Sequence, residues 1–150
     1  MSDAVYQQAL AAYIRLFETM TPASLQKLND YFASDAVFED PFNAVRGTAA
    51  IQRIFGHMYE VCEHPEFAVL SSALSNNTAW LQWDFTFAYR GRPMKISGAS
   101  MVRFDEDGLV SMHIDYWDAA SQLYEKLPLI GWMVKGLHRL FSVKQPVSIL

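Results

Sequence analysis

Residues 81–89 read Leu-Gln-Trp-Asp-Phe-Thr-Phe-Ala-Tyr, and this stretch decides the fold class. Its large apolar side chains stand at alternate positions, which is typical of a β-strand with one buried face. A turn at Gly91-Arg92 leads to a second strand over 94–104, and an Asp-Glu-Asp-Gly turn leads to a third over 109–117. Three strands joined by short turns predict an antiparallel meander.

Upstream of these strands the apolar residues recur every three or four positions, which is typical of amphipathic helices. The predicted helices cover residues 6–20, 22–33 and 48–62, and two further strands cover 36–40 and 67–71. Because helices come first and most strands follow, we predict an α+β fold. Three N-terminal helices would pack on one face of a strongly bent, cone-shaped antiparallel sheet.

The composition fits one domain with a large core. The chain has 150 residues, of which 51% are hydrophobic and 14% aromatic, and its formal net charge is −4. So much apolar side chain excludes a disordered protein, and 150 residues suit a single core. We therefore expect one α+β domain, which a C-terminal helical extension follows.

The charge is unevenly distributed along the chain. All acidic residues lie at or before Glu125, whereas the remainder carries only basic residues, at Lys126, Lys135, Arg139 and Lys144. An acidic body argues against nucleic acid as a partner. The basic, apolar extension has three interpretations: a lid over the cone, a dimerisation arm, or an amphipathic helix on an anionic membrane. Because the extension is basic and the body is acidic, we favour docking of the extension on its own domain or on a second copy of the chain over binding to a membrane.

Nothing in the sequence predicts export or a membrane span. No apolar run is long enough to cross a bilayer, and residues 1–10 lack the pattern of a signal peptide. The single cysteine, Cys62, forms no intramolecular disulfide and fits a reducing compartment. We expect a cytoplasmic protein.

Asp40 is the most suggestive residue for chemistry. Alternation on the predicted strand places it on the same face as Phe38. If that face lines an aromatic cone, poor solvation raises the pKa of the carboxyl towards that of a useful proton acceptor. The alternative interpretation is that Asp40, which precedes Pro41, is a turn residue bonded to local backbone amides.

Several motifs carry a family resemblance. Residues 38–41 (Phe-Glu-Asp-Pro), 46–51 (Arg-Gly-Thr-Ala-Ala-Ile) and 108–112 (Gly-Leu-Val-Ser-Met) resemble the ketosteroid isomerases. The likeness extends to the wider SnoaL-like, nuclear-transport-factor-2-like superfamily and covers about residues 6–118. It implies an α+β domain over residues 1–118 and a C-terminal helical extension over 119–150. That superfamily includes isomerases, polyketide cyclases, dehydratases, hydrolases and non-catalytic binders. The resemblance therefore implies a fold more strongly than a reaction.

The resemblance also implies catalytic roles. Asp40 matches the general base, and Tyr13 matches the tyrosine that donates a hydrogen bond to the developing oxyanion. The chain between them is about one helical turn longer than the family pattern, so Phe17 is the alternative occupant of that place. Ser100 stands where the family has a carboxylic acid, and Phe55 replaces a supporting tyrosine. Ketosteroid isomerisation itself is therefore not expected.

Strand alternation and the resemblance together predict the lining of the cone: Phe17, Phe38, Phe55, Trp83, Phe85, Phe87, Val102, Met112 and Tyr116. The alternative is that Trp83, Phe85 and Phe87 simply fill the core, since apolar stripes usually mean packing. The resemblance turns His113 and Asp115 to the outer face of the sheet, which often forms the dimer interface in this superfamily. His113 and Asp115 could be a base and its orienting acid or part of a metal site, but a structural pair is favoured because no third metal ligand is evident.

These observations lead to two hypotheses. The first is an enzyme that needs no metal or organic cofactor and uses acid/base chemistry, as an isomerase, cyclase or lyase, on an apolar carbonyl or polycyclic substrate. The second is a non-catalytic module that binds a small apolar ligand or a protein. In both cases we expect a homodimer formed through the outer sheet face.

Overall fold

The computed structural model describes residues 3–124 and 139–143. Its helices are α1 (Asp3–Glu18), a 3₁₀ helix (Pro22–Asp30), α2 (Thr48–Val61) and a short π-helical turn (Ala120–Tyr124). The three predicted N-terminal helices are confirmed. The second is a 3₁₀ helix that ends earlier than expected, and Thr21 caps it in a reciprocal pair of hydrogen bonds with Ser24.

Six strands form one curved, unclosed sheet. They are β1 (Phe32–Glu39), β2 (Ala44–Arg46), β3 (Glu63–Ser75), β4 (Thr78–Tyr89), β5 (Arg92–Phe104) and β6 (Val110–Tyr116). Their spatial order is β2-β1-β6-β5-β4-β3, so β4 to β6 make the predicted three-strand antiparallel meander, and β3 extends it by one more antiparallel strand. β1 runs parallel to β6, which makes the sheet mixed and not antiparallel throughout.

The inner face of β4 builds the wall of the cone. Trp83 and Phe85 point inward with Leu81 and Phe87, and each exposes less than a tenth of its surface. Gly98 lies opposite Trp83 on β5. A Cβ at this position would approach the indole carbons to 2.7 Å, so the glycine allows the ring to lie flat against the sheet.

The prediction for the two faces of β6 is wrong. His113 is only 4% exposed, whereas Tyr116 is 52% exposed and stacks on Trp80 across the outer face. Met112 shares that outer face by alternation, so neither Met112 nor Tyr116 lines the cone. An irregularity in the β5–β6 pairing between Arg103 and Phe104 displaces the register. A displacement of one residue exchanges the faces of a strand, which accounts for the error.

Most of the C-terminal extension, residues 125–138 and 144–150, lies outside the described residues. Within the described part, residues 139–141 are helical and residues 142 and 143 have no regular secondary structure. We call these five residues the mouth segment, because Phe141 lines the opening of the cavity described below.

Candidate functional site

A cavity lies inside the cone, between the inner sheet face, α2 and the mouth segment. The cavity has a volume of about 100 Å³. Half of its lining residues are aromatic: Phe38, Phe42, Phe55, Phe67, Trp83, Phe85, Phe87, Trp117 and Phe141. Two carboxyl groups, those of Asp40 and Asp115, face the same space. The site is thus an apolar cavity with two acids in its wall.

A smaller hollow lies deeper in the cone. Phe17, Ser100 and His113 line it, and Asp115 contributes to the walls of both spaces. Val102 is fully buried and borders neither space. Of the predicted lining residues, the five on β1, α2 and β4 lie on the larger cavity, while Phe17 lies on the hollow behind it.

Asp40 is both a turn residue and a buried acid. Its Oδ1 accepts hydrogen bonds from the backbone N–H groups of Phe42 and Asn43, each at 2.7 Å. The side-chain amide of Asn43 lies 3.2 Å from both carboxyl oxygens. Burial, helped by the nearby charge of Asp115, outweighs these hydrogen bonds and raises the pKa of Asp40 from 3.8 to about 6.

Asp115 is held by two chains of hydrogen bonds. In the first, Trp83 Nε1–H donates to Ser100 Oγ at 2.8 Å, and Ser100 donates to Asp115 Oδ1 at 2.5 Å. In the second, Tyr13 Oη lies 2.7 Å from His113 Nδ1, and His113 Nε2 lies 2.6 Å from Asp115 Oδ1. Both chains end on one oxygen of Asp115, which fixes the orientation of this carboxylate.

Tyr13 and Ser100, the expected oxyanion donors, are therefore committed to this network. Tyr13 is 1% exposed, its hydroxyl contacts His113, and it lines neither the cavity nor the deeper hollow. Burial, with a smaller contribution from Asp115, raises the pKa of Tyr13 well above 10 and keeps the hydroxyl protonated as a donor. Phe17, one turn later on α1, packs edge-on against Tyr13. Tyr13 and Phe17, the two alternative occupants of the donor position, are thus both buried inside the cone.

The expectation that His113 and Asp115 form an outer-face pair is also wrong. Both point into the cone, because Val102 and Ser100, their partners on β5, belong to the inner row. Ser100 replaces the carboxylic acid of the resembling family, and Asp115 supplies a carboxylate directly opposite it on the next strand. The sequence of β5 alone does not reveal this acid, because Asp115 lies on β6 and its position opposite Ser100 depends on how the two strands pair.

Asn43 is a further site residue that the sequence analysis missed. Besides Asp40, its amide nitrogen donates to the carbonyl of Phe141 at 3.2 Å, and its Oδ1 accepts from the N–H of Val143 at 3.0 Å. Phe141 stacks on Phe42 with ring centroids 5.5 Å apart, and His57 Nε2 binds the carbonyl of Leu140. Asn43 thus joins the mouth segment to the carboxyl group of Asp40.

Two further findings concern metals and membranes. Within residues 3–124 and 139–143, no three His, Cys, Asp or Glu side chains come together as metal ligands. No helix in the same part of the chain combines the length and apolar character needed to cross a membrane.

Several solved structures share this fold. An LEH-like epoxide hydrolase from M. tuberculosis is 13% identical with a TM-score of 0.67, over 89% of this chain and 96% of that one. A steroid delta-isomerase from Pseudomonas aeruginosa is 22% identical with a TM-score of 0.60, over 90% and 95%. At these identities the likeness shows the fold alone.

A third neighbour is a ketosteroid-isomerase-like protein from Catenulispora acidiphila in complex with trimethylamine, 16% identical with a TM-score of 0.65, over 77% of this chain and 88% of that one. No curated protein matches the sequence significantly. The family model of the SnoaL-like domain, however, matches residues 12–113, which is more than half of the chain. The chain therefore belongs to the SnoaL-like domain family, as the motifs around Asp40 indicated.

Proposed function

We propose that this protein is an acid/base enzyme, an isomerase, cyclase or lyase, in which Asp40 moves a proton on an apolar carbonyl or polycyclic substrate. The observation that carries the proposal is the surroundings of Asp40: a carboxyl group with a pKa of about 6 in the wall of an aromatic cavity. At pH 7 such a group is ionised about ten to one, so it accepts a proton readily. Its conjugate acid is still acidic enough to return it.

The hydrogen bonds of Asp40 indicate which oxygen reacts. Oδ1 accepts two backbone N–H groups at 2.7 Å, whereas Oδ2 has only the longer contact with Asn43. Oδ2 therefore takes the proton from the carbon next to the carbonyl, and the C–H electron pair moves into an enol or enolate. In an isomerase the proton returns at another carbon. In a lyase the enolate electrons form a C=C bond, and the leaving group departs with the electron pair of its own bond.

Tyr13 and Ser100 act in this proposal as positioning residues. Tyr13 fixes Asp115 through a hydrogen bond to His113, and Ser100 donates a hydrogen bond to Asp115 directly. Neither hydroxyl lines the larger cavity. Asp115 in turn keeps the pKa of Asp40 high, because a second carboxylate nearby disfavours ionisation. The oxyanion donors of the resembling family are thus used to hold a second acid.

The proposal can be tested without the natural substrate. 5-Nitrobenzisoxazole reports a carboxylate base in an apolar cavity, since removal of its C–H proton breaks the N–O bond and releases a coloured phenolate. We expect turnover to rise with pH through about 6 as Asp40 loses its proton. Asp40→Asn should lower the rate at least about 100-fold, the usual contribution of a general base.

Glu39→Gln is the matched control. Glu39 is the last residue of β1 and the neighbour of Asp40, so the variant likewise removes one carboxylate, and alternation places the Glu39 side chain on the opposite face from Phe38. We expect the wild-type rate in this variant. If Asp40→Asn and Glu39→Gln have the same rate, Asp40 is not the base.

A second candidate function is ligand binding without turnover. Asp40 makes the local hydrogen bonds of a turn residue, and such a role needs no proton transfer. The Catenulispora protein, in complex with trimethylamine, is of the same fold. In this case a bound compound would be recovered chemically unchanged, and Asp40→Asn would alter affinity alone.

The mouth segment supports a lid role for the C-terminal extension. Leu140 and Phe141 pack against the hydrophobic core, and Phe141 lines the cavity. A lid at this position excludes water from the carboxyl group of Asp40, which sustains its raised pKa. The extension therefore belongs, in this proposal, to the active site.

The outer sheet face supports a homodimer. Trp80 is 49% exposed and Tyr116 is 52% exposed, and their rings stack 6.2 Å apart. Exposed aromatic side chains of this kind mark contact surfaces.

The buried thiol of Cys62, with a pKa raised by burial to about 12, is compatible with the proposed cytoplasmic location.

A further inference from the structure

The cavity has an unbalanced charge. The carboxyl groups of Asp40 and Asp115 face it, and no lysine or arginine among the residues that the structure describes lines it. The other titratable lining groups are the imidazole of His57 at the opening and the thiol of Cys62. His57 already contacts Glu60 and the carbonyl of Leu140. Asp115 contacts the imidazole of His113 at 2.6 Å, whereas Asp40 has no basic side chain paired with it among the described residues. A partly buried carboxylate in this position is favoured by a ligand that supplies positive charge.

The remaining lining suits a cation with an apolar surface. Rings approach the cavity from different elements: Phe38 from β1, Phe55 from α2, Trp83 from β4 and Phe141 from the mouth segment. The face of an aromatic ring is electronegative and attracts an alkylated ammonium group, which is weakly hydrated. Rings on several sides together with a carboxylate are the arrangement that recognises such groups.

We propose that the cavity binds a small tertiary or quaternary amine in its cationic form, with its alkyl groups against the aromatic rings and its charge near Asp40 and Asp115. The inference deepens the proposed role of the cavity as a ligand site, and it does not depend on proton transfer by Asp40. It assigns the class of ligand: an apolar molecule that carries a positive nitrogen.

A neutral ligand of the same shape fits this site less well. It would remove the remaining water from Asp115, whose side chain is 18% exposed, without returning any charge. Asp115 Oδ2 has no hydrogen bond among the described residues, since His113 and Ser100 both contact Oδ1. A cationic nitrogen supplies the missing interaction for that oxygen, whereas a carbon atom does not.

The test compares two probes of one shape. Choline carries a trimethylammonium group, and 3,3-dimethylbutan-1-ol has a tert-butyl group in its place and no charge. Dissociation constants for both are measured on the full chain at pH 7.5 by NMR chemical-shift titration. We expect choline to bind at least about tenfold tighter than the alcohol, which corresponds to about 1.4 kcal/mol. The shifts should fall on residues that line the cavity.

Two variants divide the effect between charge and rings. Asp115→Asn combined with Asp40→Asn should bring the two affinities to within about twofold of each other, because together they remove both carboxylates from the cavity wall. Asp107→Asn removes an exposed charge from the β5–β6 turn and should leave both affinities unchanged. Phe55→Leu keeps apolar volume but removes a ring face, and should weaken choline more than the alcohol.

Equal binding of the two probes by the wild-type chain would overturn the inference, as would tighter binding of the alcohol. The absence of a saturable shift with either probe at about 100 mM would overturn it as well, since cation–π sites of this kind have dissociation constants below that concentration. These outcomes come from binding alone. They leave the kinetic test of Asp40 with 5-nitrobenzisoxazole unaffected, so the two proposals can fail separately.

Discussion

Replacing Asp40 with asparagine should stabilise the protein at neutral pH and not at acid pH. Burial raises the pKa of Asp40 from its ordinary 3.8 to about 6, so the folded state prefers the protonated carboxyl. Each pKa unit corresponds to about 1.4 kcal/mol, and the whole rise therefore disfavours the folded state by about 3 kcal/mol once the group is ionised. Asparagine has no charge and avoids this penalty.

The sign follows from proton binding. Between pH 3.8 and 6 the folded state binds more protons at Asp40 than the unfolded state does, so stability falls as pH rises through this range. The penalty is about 1 kcal/mol at pH 4.5 and about 3 kcal/mol at pH 7.5. The stability of Asp40→Asn relative to wild type should therefore increase by about 2 kcal/mol between these two pH values.

The assay is urea unfolding at pH 4.5 and pH 7.5, followed by tryptophan fluorescence. Asparagine can still accept the backbone N–H groups of Phe42 and Asn43, and any loss of packing is the same at both pH values. Only the change with pH is diagnostic. Glu39→Gln, on the other face of β1, is the control for the removal of one negative charge.

Two results would refute the reasoning. A difference between Asp40→Asn and wild type that does not change with pH would mean that the pKa of Asp40 is ordinary in the folded protein. A difference that moves in the opposite direction would mean that the local hydrogen bonds win over burial. Asp40 would then be a structural turn residue, and the proposed base would be lost.

Three further substitutions have defined outcomes. Gly98→Ala should destabilise the fold by about 1–3 kcal/mol in urea unfolding, because the added Cβ would displace the indole of Trp83, and an unchanged midpoint would contradict this contact. Asn43→Ala should raise the pKa of Asp40 further and speed hydrogen exchange in the mouth segment, as measured by NMR, because the Asn43 side chain contacts both Asp40 and Phe141. A change in the pKa alone, or in the exchange rate alone, would contradict a shared role of Asn43. Trp80→Ser should convert a dimer to a monomer in light scattering, whereas a wild-type monomer would exclude the proposed interface.

The parts of the fold with a strong sequence period were predictable. The alternation along β4 identifies both the strand and its buried face, and the spacing in α1 and α2 identifies the helices. β2 was missed because three residues are too few to show a period. The parallel pairing of β1 with β6 was missed because it joins segments about 70 residues apart, with no local signal.

The candidate site was predictable only in part, for two physical reasons. Which face of β6 points inward depends on the irregular pairing beside Arg103, and a strand pattern alone does not reveal an irregularity. The pKa of Asp40 depends on a competition between burial and hydrogen bonds, and local sequence reveals only the hydrogen bonds. Asp115 and Asn43 enter the site through contacts with distant segments, from β5 and the mouth segment respectively.

The titration of Asp40 itself decides whether this carboxyl group can serve as a base near neutral pH. The experiment is a carbon-13 NMR titration of aspartate carboxyl groups, with Asp40 assigned by its absence from the spectrum of Asp40→Asn. The surroundings of Asp40 predict a midpoint near pH 6. A midpoint at or below 3.8 would show that the carboxylate is held ionised by its turn, and would contradict the proposed role of Asp40.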